Sequence, residues 1–244
     1  MLRGRVVLVT GAGGGIGRAA VLQCAREGAF VLAADRETSS AQQTAGLASE
    51  LGLSVFPFCA DVSKQSEVEA MVRACVERFG RLDCALNAAG IEGSRGALHT
   101  LSEQSFDEVI AVNTKGTFLC MRAQIAQMLS QPPHPALDAS ADERGGEAGN
   151  VPIDALNYSI VNLASTAAQA GMPEFSAYSA SKHAILGLTR SAAKEYASQG
   201  VRVNALCPST TDTPMVQRFA ERWPEWQAKQ NASFPVGRIG RAEE

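Results

Sequence analysis

The run Arg5-Val6-Val7-Leu8-Val9-Thr10-Gly11-Ala12-Gly13-Gly14-Gly15-Ile16-Gly17 lies close to the start of the chain. Its first six residues are mostly apolar, as expected of a strand that is buried on both faces of a parallel sheet. A helical pattern follows from Arg18 to Glu27. A glycine turn between a strand and a helix lets the backbone approach a pyrophosphate and directs a helix N-terminus at it. The stretch therefore predicts a nucleotide-binding turn.

The spacing of this turn is Thr-Gly-x-x-x-Gly-x-Gly, with Gly11, Gly15 and Gly17 at the fixed places. Ile16 stands where the GxGxxG pattern has its last glycine. Two more β-α units and a fourth strand follow the first unit, with predicted strands at 30–35, 54–60 and 82–86 and helices at 38–51 and 63–79. Ser63 is the predicted N-cap of the second of these helices, and Gly80 its stop. The pattern predicts one α/β domain over 1–244 with a right-handed, doubly wound parallel sheet.

Composition limits the classes of protein to which the chain can belong. Of its 244 residues 45% are hydrophobic and 19% are charged, and the net charge of −3 gives no indication of nucleic acid or an anionic membrane as partner. No apolar run approaches the roughly 18 residues of a membrane span, and the first strand leaves no room for a signal peptide. Six scattered cysteines predict reduced thiols and no metal site. We expect a soluble cytoplasmic protein.

The end of the second strand indicates which nucleotide is bound. The carboxylate of Asp35 can accept hydrogen bonds from an adenosine ribose and would repel a 2′-phosphate, which favours NAD over NADP. The glycine turn itself contains no basic residue. Arg36 is adjacent and could pair with the extra phosphate, so NADP stays open, as does the simpler interpretation of a solvated Asp-Arg pair in a turn. The fourth strand runs into Asn87-Ala88-Ala89-Gly90, where small residues let the chain pass close to a cofactor.

Tyr178 and Lys182 lie four residues apart in a predicted helix, so their side chains project from the same face. A phenol with a pKa of about 10 is a poor base, and a nearby ammonium group would favour phenolate. Taken alone, such a pair occurs by chance on many helices. Ser165 precedes Tyr178 by thirteen residues and follows a predicted strand, at the end where ligands bind in such sheets.

Three motifs, Gly11-x-x-x-Gly15-x-Gly17, Asn87-Ala88-Ala89-Gly90 and Tyr178-x-x-x-Lys182, together resemble those of the short-chain dehydrogenase/reductase family. The resemblance covers nearly the whole chain and implies a Rossmann-like fold, a homodimer or homotetramer, and hydride transfer between NAD(H) and a secondary alcohol or ketone. It implies four catalytic residues, namely Asn113, Ser165, Tyr178 and Lys182. The cofactor contacts that it implies are Gly11, Gly15, Ile16, Gly17, Asp35, Asp61, Val62, Asn87, Ala88, Gly90, Tyr178, Lys182, Pro208 and Thr213.

The resemblance also assigns roles to these residues. The phenolate of Tyr178 removes the substrate's hydroxyl proton in oxidation and returns it in reduction. Lys182 lowers the pKa of the phenol and holds the nicotinamide ribose, Ser165 hydrogen-bonds the substrate oxygen, and Asn113, at a helix break, completes a proton relay to solvent. The alternative, from another class, is a nucleotide-binding regulatory or scaffold protein that has lost turnover.

Some segments depart from the family pattern. Residues 131–156 are rich in proline and glycine and predict a flexible surface insertion. Ser209 replaces a usual glycine. The sequence ends at Glu244, where the family continues with a helix and a seventh strand, so we expect the sheet to lack that strand. Residues 216–234 have an amphipathic helical pattern with Phe219, Trp223 and Trp226. In the family this region covers the substrate, which predicts an apolar or ring-bearing substrate, while packing against the sheet is the alternative.

Overall fold

The computed structural model describes residues 2–132 and 157–244, so most of the predicted insertion at 131–156 lies outside the described residues. Its centre is a parallel sheet in the order β3-β2-β1-β4-β5-β6. The strands are β1 (Val6–Thr10), β2 (Phe30–Asp35), β3 (Val55–Cys59), β4 (Cys84–Asn87), β5 (Tyr158–Leu163) and β6 (Val201–Leu206). This is the doubly wound order of dinucleotide-binding proteins, and the predicted fold class is confirmed.

Helices connect these strands and cover both faces of the sheet. They are α1 (Gly15–Arg26), α2 (Thr38–Glu50), α3 (Gln65–Phe79), α4 (Glu103–Val109), α5 (Gly116–Ser130), α6 (Ser176–Tyr196), α7 (Pro214–Arg222) and α8 (Pro224–Ser233). A π-helical segment, Ile110–Lys115, joins α4 to α5. Two short strands, β7 (Thr211–Asp212) and β8 (Gly240–Arg241), form a separate parallel pair.

The first strand shows why the sheet is buried on both faces. Its side chains alternate, with Val6 and Leu8 packing into the core formed with α3 and α5, and Val7 and Val9 packing into the core formed with α1. All five residues of β1 are buried. A continuous apolar run is what such a two-sided environment requires, because neither face of the strand meets water.

The chain order reverses at β1, which pairs with β2 on one side and with β4 on the other. Successive crossovers therefore diverge from this point, and a crevice opens at the carboxyl ends of the two central strands. Thr10, the last residue of β1, is in register with Ala34 of β2 and with Asn87 of β4. The predicted nucleotide-binding turn follows Thr10 directly, so the topology places it at the mouth of the crevice.

Two local predictions about helices are corrected by the structure. Ser63 does not cap α3, because both its backbone N–H and its hydroxyl are donated to the Asp61 carboxylate, at 2.9 and 2.7 Å, and the helix begins two residues later. The single helix predicted over 216–234 is instead α7 and α8, divided at Trp223. Pro224 is the cause, since proline lacks an N–H and pushes the residue before it out of the helical region. The stop at Gly80 is confirmed, with φ of 83°.

Among the described residues, no helix has both the length and the apolar character that a membrane crossing requires.

Candidate active site

A cavity of about 1050 Å³ lies at the carboxyl ends of the central strands. The glycine turn and the end of β2 line one end, and α7 and α8 line the other. Between them are the chain after β4, the chain after β5, and two side chains of α6. The predicted site residues that line it are Gly11, Gly15, Ile16, Gly17, Asp35, Asp61, Val62, Ala88, Gly90, Ser165, Tyr178, Lys182, Pro208 and Thr213. The structure therefore brings most of the predicted site together.

The glycine turn forms a close-fitting backbone surface. Gly11 has φ of +66°, and a Cβ on it would lie 2.8 Å from the backbone nitrogen of Ala89; a Cβ on Gly17 would overlap the carbonyl oxygen of Gly11. Within the described chain, no side chain caps the N-terminus of α1, and its first turn carries no acidic residue. Its first N–H groups are thus available to an anion at the cavity wall, and they fit the pyrophosphate of a dinucleotide.

The Asp35 carboxylate is fixed at the same end of the cavity. One oxygen accepts the backbone N–H of Gly13 at 2.8 Å, and the other accepts the N–H of Glu37 at 3.0 Å. The free lone pairs of the carboxylate can still accept hydrogen bonds from a ribose. Asp35 is therefore placed where the sequence predicted it.

Arg18 is a cavity residue that sequence reasoning missed. It follows Gly17 directly, lies in the first turn of α1, and lines the cavity. Its guanidinium donates to the Thr44 hydroxyl at 3.1 Å, to the Gln43 side-chain oxygen at 2.7 Å, and to the carbonyl of Gly13. Its position directly after the last glycine of the turn could have identified it as a cavity residue. The cation is held by these neutral acceptors, so it does not form an ion pair with Asp35.

Ser165, Tyr178 and Lys182 meet at the middle of the cavity. Burial raises the pKa of the Tyr178 phenol, a hydrogen bond with Ser165 lowers it, and the negative charge of Glu92 raises it, so that it lies above its ordinary value. Burial lowers the pKa of the Lys182 ammonium to about 8. The Lys182 Nζ lies 5.5 Å from the centre of the Tyr178 ring and donates to the carbonyl of Leu163 at 2.7 Å.

The expected lowering of the Tyr178 pKa by Lys182 is wrong for this geometry. Both groups are buried, and burial disfavours the charged form of each. The ammonium is bound to a backbone carbonyl and faces the ring rather than pairing with the phenolic oxygen. A neutral phenol is therefore the favoured state at neutral pH, which suits a proton donor.

Asn113 does not line the cavity. It is fully buried in the π-helical segment, where its side-chain nitrogen donates to the Ile91 carbonyl at 2.8 Å and to the Ser181 hydroxyl at 3.0 Å. Its side-chain oxygen accepts the N–H of Ile91 at 2.8 Å. The Ser181 hydroxyl in turn donates to the Tyr178 carbonyl at 2.7 Å. Asn113 thus ties the chain after β4 to the helix that carries Tyr178 and Lys182.

Asn87 also lies outside the cavity lining, in a buried amide network that it forms with Gln124, Asn162 and Thr189. Its side-chain nitrogen donates to Gln124 at 3.0 Å and to Asn162 at 2.9 Å, and its oxygen accepts from Gln124 at 2.8 Å. Asn162 donates further to the Thr189 hydroxyl at 2.9 Å. The network joins β4, β5, α5 and α6 directly beneath the site. The Asn87 side chain is therefore engaged within the protein, and a direct contact with cofactor is not supported for it.

The loop after β6 approaches the glycine turn. A Cβ on Gly15 would lie 2.8 Å from Cγ2 of Thr213, and the Thr213 hydroxyl accepts the N–H of Val216 to begin α7. Pro208 accepts the N–H of Thr166 at 3.0 Å, which holds this loop beside Ser165. Ser209 lines the cavity without a left-handed backbone, since Glu174 is the one non-glycine residue with positive φ in the described part of the chain. The replacement of glycine therefore introduces no strain there.

The far end of the cavity is apolar. Phe219 and Trp226, both noted in the sequence, line it together with three residues that sequence reasoning missed, Met172, Phe175 and Met215. Glu92, also missed, is half-buried in the lining. Within the described residues no cluster of three or more metal-ligating side chains occurs. The cavity therefore has a nucleotide end, an apolar end, and the side chains of Ser165, Tyr178 and Lys182 between them.

Comparisons with known proteins agree with this architecture. The family model described as short chain dehydrogenase matches residues 5–133, and a second, described as Enoyl-(Acyl carrier protein) reductase, matches residues 149–244. A 2-(S)-hydroxypropyl-CoM dehydrogenase of Xanthobacter autotrophicus is 36% identical over 246 residues, covering 100% of this chain and 87% of that protein. A 2,5-dichloro-2,5-cyclohexadiene-1,4-diol dehydrogenase of Sphingobium indicum is 35% identical over 243 residues, with coverage of 100% and 87%.

A solved structure of a 3-ketoacyl-(acyl-carrier-protein) reductase from Brucella melitensis, complexed with NADH, superimposes with a TM-score of 0.82 at 30% identity and covers 100% of this chain and 88% of that one. The sheet order, the cavity and these relatives agree. This chain belongs to the short-chain dehydrogenase/reductase family and is an oxidoreductase of CH–OH or carbonyl substrates.

Proposed function

We propose that the protein transfers a hydride between NAD(H) and a secondary alcohol or ketone, with Tyr178 as the acid/base. The observation that carries the proposal is the meeting of Ser165, Tyr178 and Lys182 in one cavity that also contains the glycine turn. The alternative of a scaffold protein without turnover is not favoured, because the relatives are named as enzymes and the reacting groups are all present.

A nicotinamide bound beside these residues would supply the hydride chemistry at the carbon that bears the substrate oxygen. The Tyr178 phenol donates its proton to that oxygen as a carbonyl becomes an alcohol, and the phenolate takes it back in the reverse direction. The Ser165 hydroxyl donates a hydrogen bond to the same oxygen and stabilises the negative charge that develops on it. Ser165 lies just beyond the carboxyl end of β5, and Tyr178 lies on α6, which faces that end.

Lys182 and Asn113 support this step without exchanging the proton with the substrate oxygen. The buried ammonium of Lys182 lies against the Tyr178 ring and would bind the hydroxyls of the nicotinamide ribose. Asn113 is a positioning residue in this proposal, since its amide groups are bonded to Ile91 and Ser181 and thereby set the distance between the chain after β4 and α6. The proton relay to solvent that the resemblance implied for Asn113 stays a prediction.

The test of the proposed function is turnover by the purified protein. Oxidation of NADH should depend on an added ketone in a panel of linear, cyclic and aryl ketones, and reduction of NAD should depend on the matching alcohols. Tight NADH binding without turnover across the whole panel would contradict the proposal and favour the scaffold alternative.

The apolar end of the cavity supports a ring-bearing substrate. Met172, Phe175, Phe219 and Trp226 offer flat or flexible apolar surfaces to a ring. A relative is named for a cyclohexadiene diol, and a 3beta-hydroxysteroid dehydrogenase of Mediterraneibacter gnavus is 37% identical over 215 residues. Within the panel we therefore expect cyclic and aryl ketones to have lower KM values than linear ketones of the same carbon number.

The carboxylate of Asp35 supports NAD as the cofactor, and the Asp35→Ala variant tests this. We expect the unmutated protein to prefer NADH, and the variant to show a KM for NADH about tenfold higher, because hydrogen bonds to the ribose hydroxyls are lost. The KM for NADPH should fall, because the repulsion of a 2′-phosphate is removed. Steady-state kinetics with both cofactors provide the measurement, and Asp107→Ala, at an exposed carboxylate of α4 outside the cavity lining, is the matched control. A clear preference of the unmutated protein for NADPH would show the assignment of Asp35 to be wrong.

Glu92 supports a third prediction, on the pH dependence of turnover. Its charge raises the pKa of Tyr178. The cations that line the same cavity are Arg18, Arg36, Lys182 and Arg218. In Glu92→Gln that pKa should fall, so phenolate forms at lower pH. Alcohol oxidation, which needs phenolate, should then begin at lower pH, and ketone reduction, which needs the phenol, should decline at lower pH.

The measurement is kcat/KM against pH in both directions, which reports the groups of the free enzyme. Glu108→Gln, at an exposed carboxylate of α4, is the matched control and should leave both profiles unchanged. Identical profiles for Glu92→Gln and the unmutated protein would show that Glu92 does not raise the pKa of Tyr178.

Assembly and location are further parts of the proposal. Phe118 and Leu129 of α5 are exposed apolar side chains, at 44% and 41%, and support a homodimer or homotetramer, which sedimentation velocity would measure. All six cysteines are free thiols in the structure, as expected of a protein in the reducing cytoplasm.

A further inference from the structure

The apolar end of the cavity has an aromatic wall, which we define as Phe175, Phe219 and Trp226. Phe219 is at its centre, with its ring 5.4 Å from that of Phe175 and 4.6 Å from that of Trp226. Trp223 packs on Phe219 from behind at 4.4 Å. Because Phe175 precedes α6 whereas the other rings belong to α7 and α8, the wall exists only while these segments stay together.

Arg95 lies behind this wall and contacts both sides of the junction. Its guanidinium carbon is 5.1 Å from the centre of the Trp223 ring and 6.0 Å from that of Phe219, both within the range of a cation–π contact. Its Nε donates to the Glu174 carboxylate at 2.7 Å. Neither Arg95 nor Glu174 contributes to the cavity lining. One side chain therefore joins the chain after β4, the chain before α6, and α7.

The backbone of Glu174, at this junction, has an energetically unfavourable conformation. Its φ is +67°, a conformation that side-chain-bearing residues rarely adopt, and within the described chain it is the one non-glycine residue with a positive φ. The Glu174 carbonyl accepts the N–H of Gly96 at 3.0 Å, beside the ion pair of its side chain with Arg95. Residues held in such conformations persist where surrounding contacts fix them, often at sites where geometry matters.

We propose that Arg95 and Glu174 form a clamp that positions the aromatic wall and so determines the affinity for ring-bearing substrates. The clamp rests on the proposed function in that it takes the apolar end of the cavity as the substrate end. Arg95 is a positioning residue here, because it contacts the rings on the side away from the cavity. Its loss should not change the KM for a small substrate that does not reach the wall.

The test compares a two-ring aryl ketone, tetralone, with butanone. In Arg95→Met the apolar stem is kept while the charge and the planar group are lost. We expect the KM for tetralone to rise about tenfold, with kcat for tetralone and the KM for butanone changed by less than about twofold. Arg95→Lys keeps the charge and should recover part of the tetralone affinity. NADH affinity, which depends on the other end of the cavity, should be unchanged and serves as the check on folding.

Arg222→Met is the matched control. Arg222 also lies over the Trp223 ring, at 4.8 Å, but it is part of α7 and does not join α7 to Glu174. Its loss should leave the ratio of the two KM values unchanged. Glu174→Gln should reproduce the effect of Arg95→Met, and the double variant should be no worse than either, as expected when two residues act through one contact.

A binding measurement separates failure of the clamp from failure of the proposed function. The two tryptophans of the chain, Trp223 and Trp226, both belong to this region, so quenching of their fluorescence by tetralone reports occupation of the wall without turnover. About tenfold weaker quenching in Arg95→Met supports the clamp even if no ketone is reduced. Equal tetralone affinity in Arg95→Met and the unmutated protein, equal loss for tetralone and butanone, or no tetralone binding at all would overturn it.

Discussion

The Tyr178→Phe variant should lose about a thousandfold in kcat for ketone reduction while binding NADH as tightly as the unmutated protein. The substitution removes a single oxygen, the one that would carry the transferred proton, and general acid catalysis of this kind contributes about 10²–10⁴ in rate. The ring that packs against the Lys182 ammonium is retained. The fall should therefore be in kcat and kcat/KM together, as expected when an interaction made in the transition state is removed.

Tyr158→Phe is the matched control for this variant. Tyr158 is also buried, but its hydroxyl donates to the carbonyl of Pro132 at 2.9 Å, at the opposite end of β5 from Ser165. Loss of that hydrogen bond should lower the free energy of unfolding by about 1 kcal/mol and leave kcat unchanged. If Tyr178→Phe retained ketone-dependent NADH oxidation at the unmutated rate, the assignment of the acid/base would be wrong.

The Lys182→Met variant should combine loss of activity with no loss of stability. Burial lowers the pKa of Lys182 from 10.5 to about 8, which corresponds to a cost of about 3 kcal/mol for keeping the ammonium in the folded protein at neutral pH. Methionine removes that cost. It also leaves the Leu163 carbonyl without its donor, which costs roughly 1–3 kcal/mol. We expect a net gain of about 1 kcal/mol at pH 7 and a loss of activity of at least about a hundredfold.

The pH dependence of stability gives the sharper measurement. Between about pH 8 and 10.5 the unfolded chain binds more protons at Lys182 than the folded chain, so the contribution of this residue to the free energy of unfolding rises with pH in that window. The difference in the free energy of unfolding between the unmutated protein and Lys182→Met should therefore rise with pH in this window. The buried thiols of Cys75, Cys84 and Cys120, whose raised pKa values lower stability above about pH 9, contribute equally to both proteins and cancel in this difference. Lys194→Met, at an exposed lysine of the same helix, should follow the unmutated protein. A difference between the unmutated protein and Lys182→Met that does not change with pH would contradict the burial of this charge.

Most of the fold could be predicted from the sequence because the patterns that indicate strands, helices and their ends lie within short stretches and support one another. The bounds of β2 coincide with those predicted at 30–35, since the apolar run follows Gly28, which has a left-handed conformation, and ends at Asp35. The start of α3 was missed because a serine can satisfy either a helix N-terminus or a neighbouring carboxylate, and Asp61 is two residues away. Pro224 was the one local signal for the break between α7 and α8, and the amphipathic pattern on both sides obscured it.

The site was predicted best where its residues carry recognisable chemistry in a fixed order. Ser165, Tyr178 and Lys182 could be found in this way. Glu92 and Arg95 could not, because their roles depend on which segments meet in space after folding. The same limit applies to the state of Tyr178. The sequence predicts an ammonium group near the Tyr178 phenol. The folded structure is needed to show that burial raises the pKa of Tyr178 and that the ammonium of Lys182 donates to a backbone carbonyl.

The buried amide network of Asn87, Gln124, Asn162 and Thr189 has a consequence for how this protein can diverge. Each of these side chains satisfies another, so replacing any one alone leaves a buried donor or acceptor without its partner. The four positions therefore form an epistatic set that resists single-step change. The residues of the apolar end carry no such mutual dependence on this network. New substrate ranges can accordingly arise by mutation at that end while the nucleotide platform is inherited intact.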